Sequence, residues 1–110
     1  MIATAINKTN VYKSFALHNF RQIPQISKLT DEQIKDIEVV GHVLPFKSNN
    51  YVVDELINWD NIPDDPIFTL TFPRREMLTA AHYKKMEAVL DTGASKDEIK
   101  KVANEIRKDL

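Results

Sequence analysis

Five carboxylates in the middle of the chain are the first residues whose type could support chemistry. Asp54 and Glu55 are followed by Asp60, Asp64 and Asp65. Carboxylate oxygens are the ligands that hard cations prefer. The spacing lacks the alternating acidic positions, the central glycine and the terminal glutamate of a calcium loop. Because aspartate is common in turns and at helix N-termini, we interpret these residues as turn and capping carboxylates.

Other reactive side chains are scattered along the chain. His18, His42 and His82 are never three or four residues apart, so no helical pair of metal ligands is predicted. The sequence has no Gly-x-Ser-x-Gly motif and no cysteine. Arg74 and Arg75 could bind a phosphate or carboxylate, but adjacent loop arginines are usually solvated. We therefore predict no catalytic, cofactor-binding or metal-binding residue in this chain.

The charge balance and composition of the chain argue against several classes of function. The 110 residues carry 15 basic and 16 acidic side chains, a net charge of −1. This balance argues against binding to nucleic acid or to an anionic membrane surface. The N-terminus lacks the pattern of a signal peptide, and no window approaches the length of a membrane span. Together with the absence of cysteine, which excludes disulfides and thiolate metal ligands, this predicts a cytoplasmic protein.

Two capping boxes predict the clearest helices. Thr30 with Gln33 opens a helix that Pro45 ends, and Ser95 with Glu98 opens a second helix over residues 96–110. The second helix is the cleanest amphipathic segment, because its apolar residues recur at three- and four-residue spacing.

Weaker signals complete the expected fold. Residues 1–13 are predicted to be a loose arm, and residues 14–22 a short helix. Ser48 is predicted to cap a further helix, and Thr79 another that stops at Gly93. The expected fold over residues 14–110 is one all-α domain, a bundle of about four or five helices.

Residues 58–73 are expected to be an extended, proline-rich arm. Pro63, Pro66 and Pro73 interrupt regular structure, and the apolar run between the last two favours an extended chain. The aromatic cluster of Phe46, Tyr51, Trp59, Phe68 and Phe72 predicts either a core or a docking face, and the spacing does not separate the two. The residues predicted to pack or to form an interface are Phe46, Tyr51, Trp59, Ile67, Phe68, Leu70, Phe72, Ile99, Val102 and Ile106.

Residues 38–57 (EVVGHVLPFKSNNYVVDELI) and 59–73 (WDNIPDDPIFTLTFP) resemble the N-terminal region of lysine 2,3-aminomutase-like radical SAM proteins. The resemblance extends loosely over residues 20–110, and the run Asp-Pro-Ile-Phe-x-Leu-Thr-Phe-Pro is its most specific part. Arg74-Arg75-Glu76 departs from the glycine-containing turn that the family pattern places before Met77-Leu78.

The resemblance implies a parent enzyme with a partial (β/α) barrel. The family's barrel binds a [4Fe–4S] cluster through a Cys-x₃-Cys-x₂-Cys motif, S-adenosylmethionine and pyridoxal phosphate. Its enzymes migrate an amino group between the α and β carbons of an amino acid. None of these motifs occurs here, so no cofactor ligand is carried onto this chain.

Three hypotheses follow. The first is an excised or truncated non-catalytic N-terminal domain, which packs on the catalytic barrel and supports homo-oligomerisation. The second is a free-standing helical module that binds a protein through the same apolar residues. The third is a small-molecule or metal-dependent enzyme that uses the acidic cluster. The substrate amino acid would be selected in the barrel.

Overall fold

A computed structural model describes residues 12–110. The central helix of the protein begins where the first capping box predicts. This helix, α1, spans Asp31–Val43. The Thr30 hydroxyl accepts the backbone N–H of Gln33 at 3.0 Å, and the Gln33 amide oxygen accepts the backbone N–H of Thr30 at 2.8 Å. The two bonds satisfy donors that the first turn of a helix leaves free. The helix ends before Pro45, as expected.

The predicted helix over residues 14–22 is wrong, because this segment begins with a strand. β1 (Ser14–Ala16) pairs antiparallel with β2 (Lys47–Asn49), and Phe15 lies opposite Ser48. Phe15 is buried while its two neighbours are partly exposed, which is the alternation of a strand. Pairing with a segment more than 30 residues away outweighed a weak local preference for helix.

Asn19 holds the turn that follows β1. Its side-chain oxygen accepts the N–H of Ala16 at 2.8 Å, and its side-chain nitrogen donates to the carbonyl of Ser14 at 3.0 Å. Such side-chain bonds compete with helical hydrogen bonds. Only a single 3₁₀ turn, Phe20–Gln22, forms before the chain reaches Pro24.

The predicted N-terminal arm over residues 1–13 lies almost wholly outside the described residues. Its last residue, Lys13, is described. The Lys13 backbone N–H donates to the Asn50 side chain and the Asn50 N–H donates to the Lys13 carbonyl, both at 2.9 Å. These bonds extend the pairing of β1 and β2 by one step.

After β2 the chain forms one wide π-helical turn, Val52–Leu56. The helical character was predicted, but the predicted cap was wrong. Asn49 accepts the N–H of Val52 at 2.9 Å. Ser48 instead lies within β2, and its buried hydroxyl has no hydrogen-bond partner among residues 12–110. The strand pairing carries Ser48 away from the start of the turn.

The expected extended arm is also corrected, because residues 58–73 include the short helix α2 (Pro66–Thr71). The buried carboxylate of Asp65 caps it by accepting the N–H of Phe68 at 2.9 Å. Its proline occupies the first turn, where no N–H is needed, and the next proline lies beyond its end. The helix places Phe68 and Phe72 on one side, 3% and 1% exposed. Burial of these two rings outweighed the local preference for an extended chain.

Two longer helices close the chain as predicted. They are α3 (Ala80–Asp91) and α4 (Lys96–Asp109). Thr79 and Ser95 are their N-caps, and each hydroxyl accepts the N–H three residues ahead, at 3.0 and 3.2 Å. Gly93 has φ of +72°, a conformation that glycine adopts without strain after a helix end.

α1 lies between two apolar clusters and contributes to both. On one side Ile37 joins Phe20 and Phe72, and on the other Val40 joins Met86 and Ile106, all 2% exposed or less. The predicted mostly helical bundle is therefore confirmed, with a two-stranded sheet beside it.

Within residues 12–110, none of the helices combines the length and the apolar character needed to cross a membrane.

Candidate functional site

Four of the five aromatic residues predicted to form either a core or a docking face pack in a core, and the fifth, Tyr51, is exposed. The ring centroids of Phe68 and Phe72 are 5.2 Å apart, those of Phe46 and Phe72 5.7 Å, and those of Trp59 and Phe68 5.9 Å. The Trp59 indole N–H donates to the carbonyl of Val53 at 2.7 Å, so its polar atom is satisfied. These rings stabilise the domain; Phe68 and Phe72 are buried, whereas Phe46 and Trp59 are only partly buried.

The predicted interface on α4 is also used inside the domain. Ile106 is 1% exposed, and Ile99 and Val102 pack beside it, partly buried. The stripe faces the cluster formed by α1 and α3. The amphipathic pattern of α4 is therefore explained by packing inside the domain.

Two of the predicted interface residues remain on the surface. Leu70 is 85% exposed and Tyr51 61%, and Leu56, which was not among the predicted residues, is 44% exposed. The remaining predicted residue of this segment, Ile67, is partly buried against the aromatic core. Large apolar side chains left in water are available for contact with another molecule.

Arg75, Asp36 and Tyr83 form a polar cluster that ties α1, α3 and the loop before α3 together. The Tyr83 hydroxyl donates to Asp36 Oδ1 at 2.6 Å, and Arg75 donates to the same oxygen through Nε at 3.2 Å and Nη2 at 3.1 Å. The guanidinium also lies 4.2 Å from the centroid of the Tyr83 ring. Arg75 was expected to be solvated, but it is only half exposed and forms an ion pair with Asp36.

The electrostatics of this cluster favour a structural role over acid–base catalysis. Burial, reinforced by the hydrogen bond to Asp36, raises the pKa of Tyr83 to about 12. The hydrogen bond to Tyr83 in turn raises the pKa of Arg75 above its usual value. A tyrosine that keeps its proton at neutral pH and already donates it to a carboxylate is a poor general base.

The acidic residues of the middle segment are dispersed. Asp65 caps α2, Asp54 accepts from Gln25 at 2.9 Å, and Asp60 lies 3.6 Å from Lys28. Among residues 12–110, no group of three or more His, Cys, Asp or Glu side chains could hold a metal ion. The capping interpretation is confirmed for Asp65.

The three histidines do not all lie together. His42 Nδ1 lies 2.7 Å from the carbonyl of Glu38, one turn earlier in α1, and His82 Nε2 lies 3.5 Å from Asp109. His18 is exposed in the turn after β1. His82 lies apart from the other two, whereas His18 and His42 both line an open groove beside α1.

An open groove of about 650 Å³ runs between the turn after β1, the end of α1 and the first half of α4. Its apolar lining includes Leu17, Phe46, Ile99 and Ala103. Gly41 lies beneath it, and a Cβ there would stand 3.0 Å from Leu17 Cδ1 and 3.1 Å from Phe46 Cε1. The missing side chain lets these two residues lie directly on α1. We call this feature the α1–α4 groove.

Basic side chains border the α1–α4 groove. Lys96 and Lys100 project from α4, and Arg107 lies further along the same helix. Arg107 donates to the carbonyls of Val43 and, at 3.0 Å, His42, and so satisfies acceptors left free at the end of α1. The two lysines, by contrast, form no ion pair with another residue in the described part of the chain.

Sequence reasoning missed both the polar cluster and the groove. A charged residue, Asp36, beside the buried Ile37 was a weak signal for the cluster. Its partners Arg75 and Tyr83 are 39 and 47 positions away, beyond the reach of local patterns. For the groove, the only signal was a pair of lysines one helical turn apart.

Comparison of the chain with protein-family models, with curated proteins and with solved structures found no significant match. What the chain does must therefore be inferred from its own residues and contacts.

Proposed function

We propose that this chain is a non-catalytic, helical N-terminal domain of a lysine 2,3-aminomutase-like radical SAM enzyme, which packs against the catalytic barrel. The observation that carries the proposal is the exposure of large apolar side chains inside the segments that resemble that family. Leu70 is 85% exposed, Tyr51 61% and Leu56 44%. Packing against a second domain would remove these side chains from water.

The folded context of these residues supports a contact role. The same segments supply Phe46, Trp59, Phe68 and Phe72 to the core, so they fold as part of the domain. Leu70 follows Phe68 in α2, and the helix that buries the phenylalanine turns the leucine outward. Burying one leucine against a partner contributes about 1.5–3 kcal/mol, enough for a few such residues to hold a domain in place.

The role in the parent enzyme would be to cover the barrel and to support assembly of the subunits. The parent reaction would be migration of an amino group between adjacent carbons. This chain has no cysteine, so the thiolate ligands of a [4Fe–4S] cluster come from elsewhere in the parent. S-adenosylmethionine and pyridoxal phosphate are likewise assigned to the barrel, and no chemical step is assigned to these residues.

The first test is to read the coding sequence past the codon for Leu110. We expect a Cys-x₃-Cys-x₂-Cys motif within a barrel-like sequence. A stop codon directly after Leu110 would refute the domain assignment and favour the alternative, a free-standing helical module that binds a protein through the same exposed residues.

The second test measures docking. The chain and the barrel encoded after it are produced separately, and their association is measured by calorimetry. Leu70→Asp is expected to weaken association at least about tenfold, because a buried contact becomes an unpaired charge. Tyr12→Asp is the matched control, because Tyr12 is 66% exposed but lies outside the family-like segments. Equal effects of the two substitutions would contradict docking through these residues.

A further inference from the structure

We infer that the α1–α4 groove is a docking site for an acidic amphipathic helix of a protein partner. The inference is independent of the proposed function, because Tyr51, Leu56 and Leu70, on which that function rests, do not line the groove. It rests on the shape of the groove, on its apolar lining and on the charge of its border.

The shape favours a polypeptide over a small molecule. The groove has a volume of about 650 Å³ and is open to solvent rather than enclosed. Small-molecule sites are concave and bury about 70–90% of the ligand surface. A largely apolar groove that is open to solvent beside two helices can instead accept the apolar side of an amphipathic helix.

The charge of the border selects an acidic partner. Lys96 and Lys100 are exposed on the groove side of α4. The acidic residue that lines the groove, Glu38, is already paired with Arg21 at 3.2 Å. Arg107 adds a further positive charge, although its donors are occupied by carbonyls of α1. The groove therefore offers two positive charges that lack a partner among the described residues.

The spacing of those charges favours a helical partner. Lys96 and Lys100 are four residues apart, so their Cβ atoms are about 5–6 Å apart on one side of α4. Two carboxylates at i and i+4 on a partner helix have the same separation and can pair with both lysines. Residues 1–11 of this chain contain no Asp or Glu, so that segment cannot supply the counter-charge.

The experiment uses the whole 110-residue chain and two synthetic probes. Each probe is a fluorescent peptide of about 14 residues, near the length at which an isolated helix becomes marginally stable. Both carry leucine at helical spacing, one flanked by glutamates and the other, otherwise identical, by lysines. We expect fluorescence anisotropy to show binding of the glutamate peptide, weakened by added NaCl because exposed charge pairs are screened. The lysine peptide is expected to bind at least about tenfold more weakly.

Charge reversal identifies the site. Lys96→Glu with Lys100→Glu is expected to lower the affinity for the glutamate peptide about tenfold, because two attractive charge pairs become repulsive. The same variant is expected to bind the lysine peptide more tightly than the wild type does. Lys84→Glu with Lys101→Glu is the matched control, because it changes the net charge equally at exposed residues outside the groove. Thermal melting of both variants verifies that they are folded.

Several outcomes would overturn the inference. They are the absence of binding by either peptide, equal binding of both peptides, and an equal loss of affinity in the control variant. Displacement of the peptide by decanoate at a lower concentration than by unlabelled peptide would assign the groove to a small amphiphilic anion. Self-association of the chain that is abolished by Lys96→Glu with Lys100→Glu would assign it to a second copy.

Discussion

Replacement of Tyr83 by phenylalanine tests the polar cluster that ties α1, α3 and the loop before α3 together. The substitution removes one hydroxyl and leaves the ring, which is 3% exposed, in place. It deletes the 2.6 Å hydrogen bond to Asp36 and the 3.1 Å bond from Arg75. Asp36 keeps its two bonds from Arg75, so the carboxylate is not left unpaired.

At neutral pH, Tyr83→Phe is expected to lower the free energy of unfolding by a moderate amount. A hydrogen bond to a charged group contributes about 1.5–3 kcal/mol, and the remaining bonds to Asp36 place this case near the lower end. A loss of about 1.5 kcal/mol lowers the Tm of a domain of this size by roughly 6–12 °C. Thermal unfolding followed by circular dichroism resolves a shift of that size.

The pH dependence provides the sharper test. Tyr83 has a pKa of about 12 in the folded protein against a reference value of 10.0. Below pH 10 both folded and unfolded chains keep the proton, and the stabilising contribution is complete. Between pH 10 and 12 the unfolded chain releases the proton first, so the wild type loses stability that the phenylalanine variant does not lose. About 1.4 kcal/mol of the difference between the two proteins disappears per pH unit in this window.

The measurement is urea unfolding of the wild type and Tyr83→Phe between pH 7 and 11. We expect the difference in the free energy of unfolding between the two proteins to be constant up to about pH 10. By about pH 11 it is expected to fall nearly to zero. Titrations common to both proteins cancel in the difference. Tyr51→Phe is the control, because Tyr51 is 61% exposed, and its difference is expected to stay near zero. A difference for Tyr83→Phe that stays constant over the whole range would refute the reasoning.

Two further pairs of substitutions test the packing and capping of the corrected segment. Phe72→Ala is expected to cost about 3–5 kcal/mol in urea unfolding, because the ring is 1% exposed in the core, whereas Leu70→Ala, at a side chain 85% exposed, stays within about 0.5 kcal/mol. Comparable costs at the two positions would show that α2 is not oriented as described. Asp65→Ala is expected to cost about 1–2 kcal/mol through loss of the bond to the Phe68 N–H, against little change for the exposed Asp64→Ala. No difference between these two in urea unfolding would contradict the capping of α2.

Helix ends were the part of the fold that local rules predicted best. The bonds at Thr30 and Ser95 join groups only three residues apart, so their geometry depends on little beyond the local chain. Gly93 likewise ends α3 by a conformation of its own backbone. Where the sequence placed a cap inside a segment with a distant partner, as at Ser48, the prediction was wrong.

The run from Ile67 to Phe72 shows why the rest could not be predicted. Its β-branched and aromatic residues favour an extended chain, and local propensities differ by only about 1 kcal/mol. As a helix, the run brings Phe68 and Phe72 to the same core and lets Asp65 cap it. Burying two phenylalanines outweighs the local preference, but the existence of that core depends on Phe20, Ile37 and Trp59 from elsewhere in the chain.

The sequence by itself determined the mostly helical class and the ends of the three longer helices, whereas the structure decided that most of the clustered aromatic residues form a core. The helical class and the helix ends depend on periodicity and on hydrogen bonds between near neighbours. Only the tertiary structure decided which predicted interface residues remain exposed, and that Arg75 is paired with Asp36 and Tyr83. It also decided that a groove lies between α1 and α4, with two lysines that form no ion pair within residues 12–110. Each of these features joins residues many positions apart, and such contacts depend on the path of the whole chain rather than on any one segment.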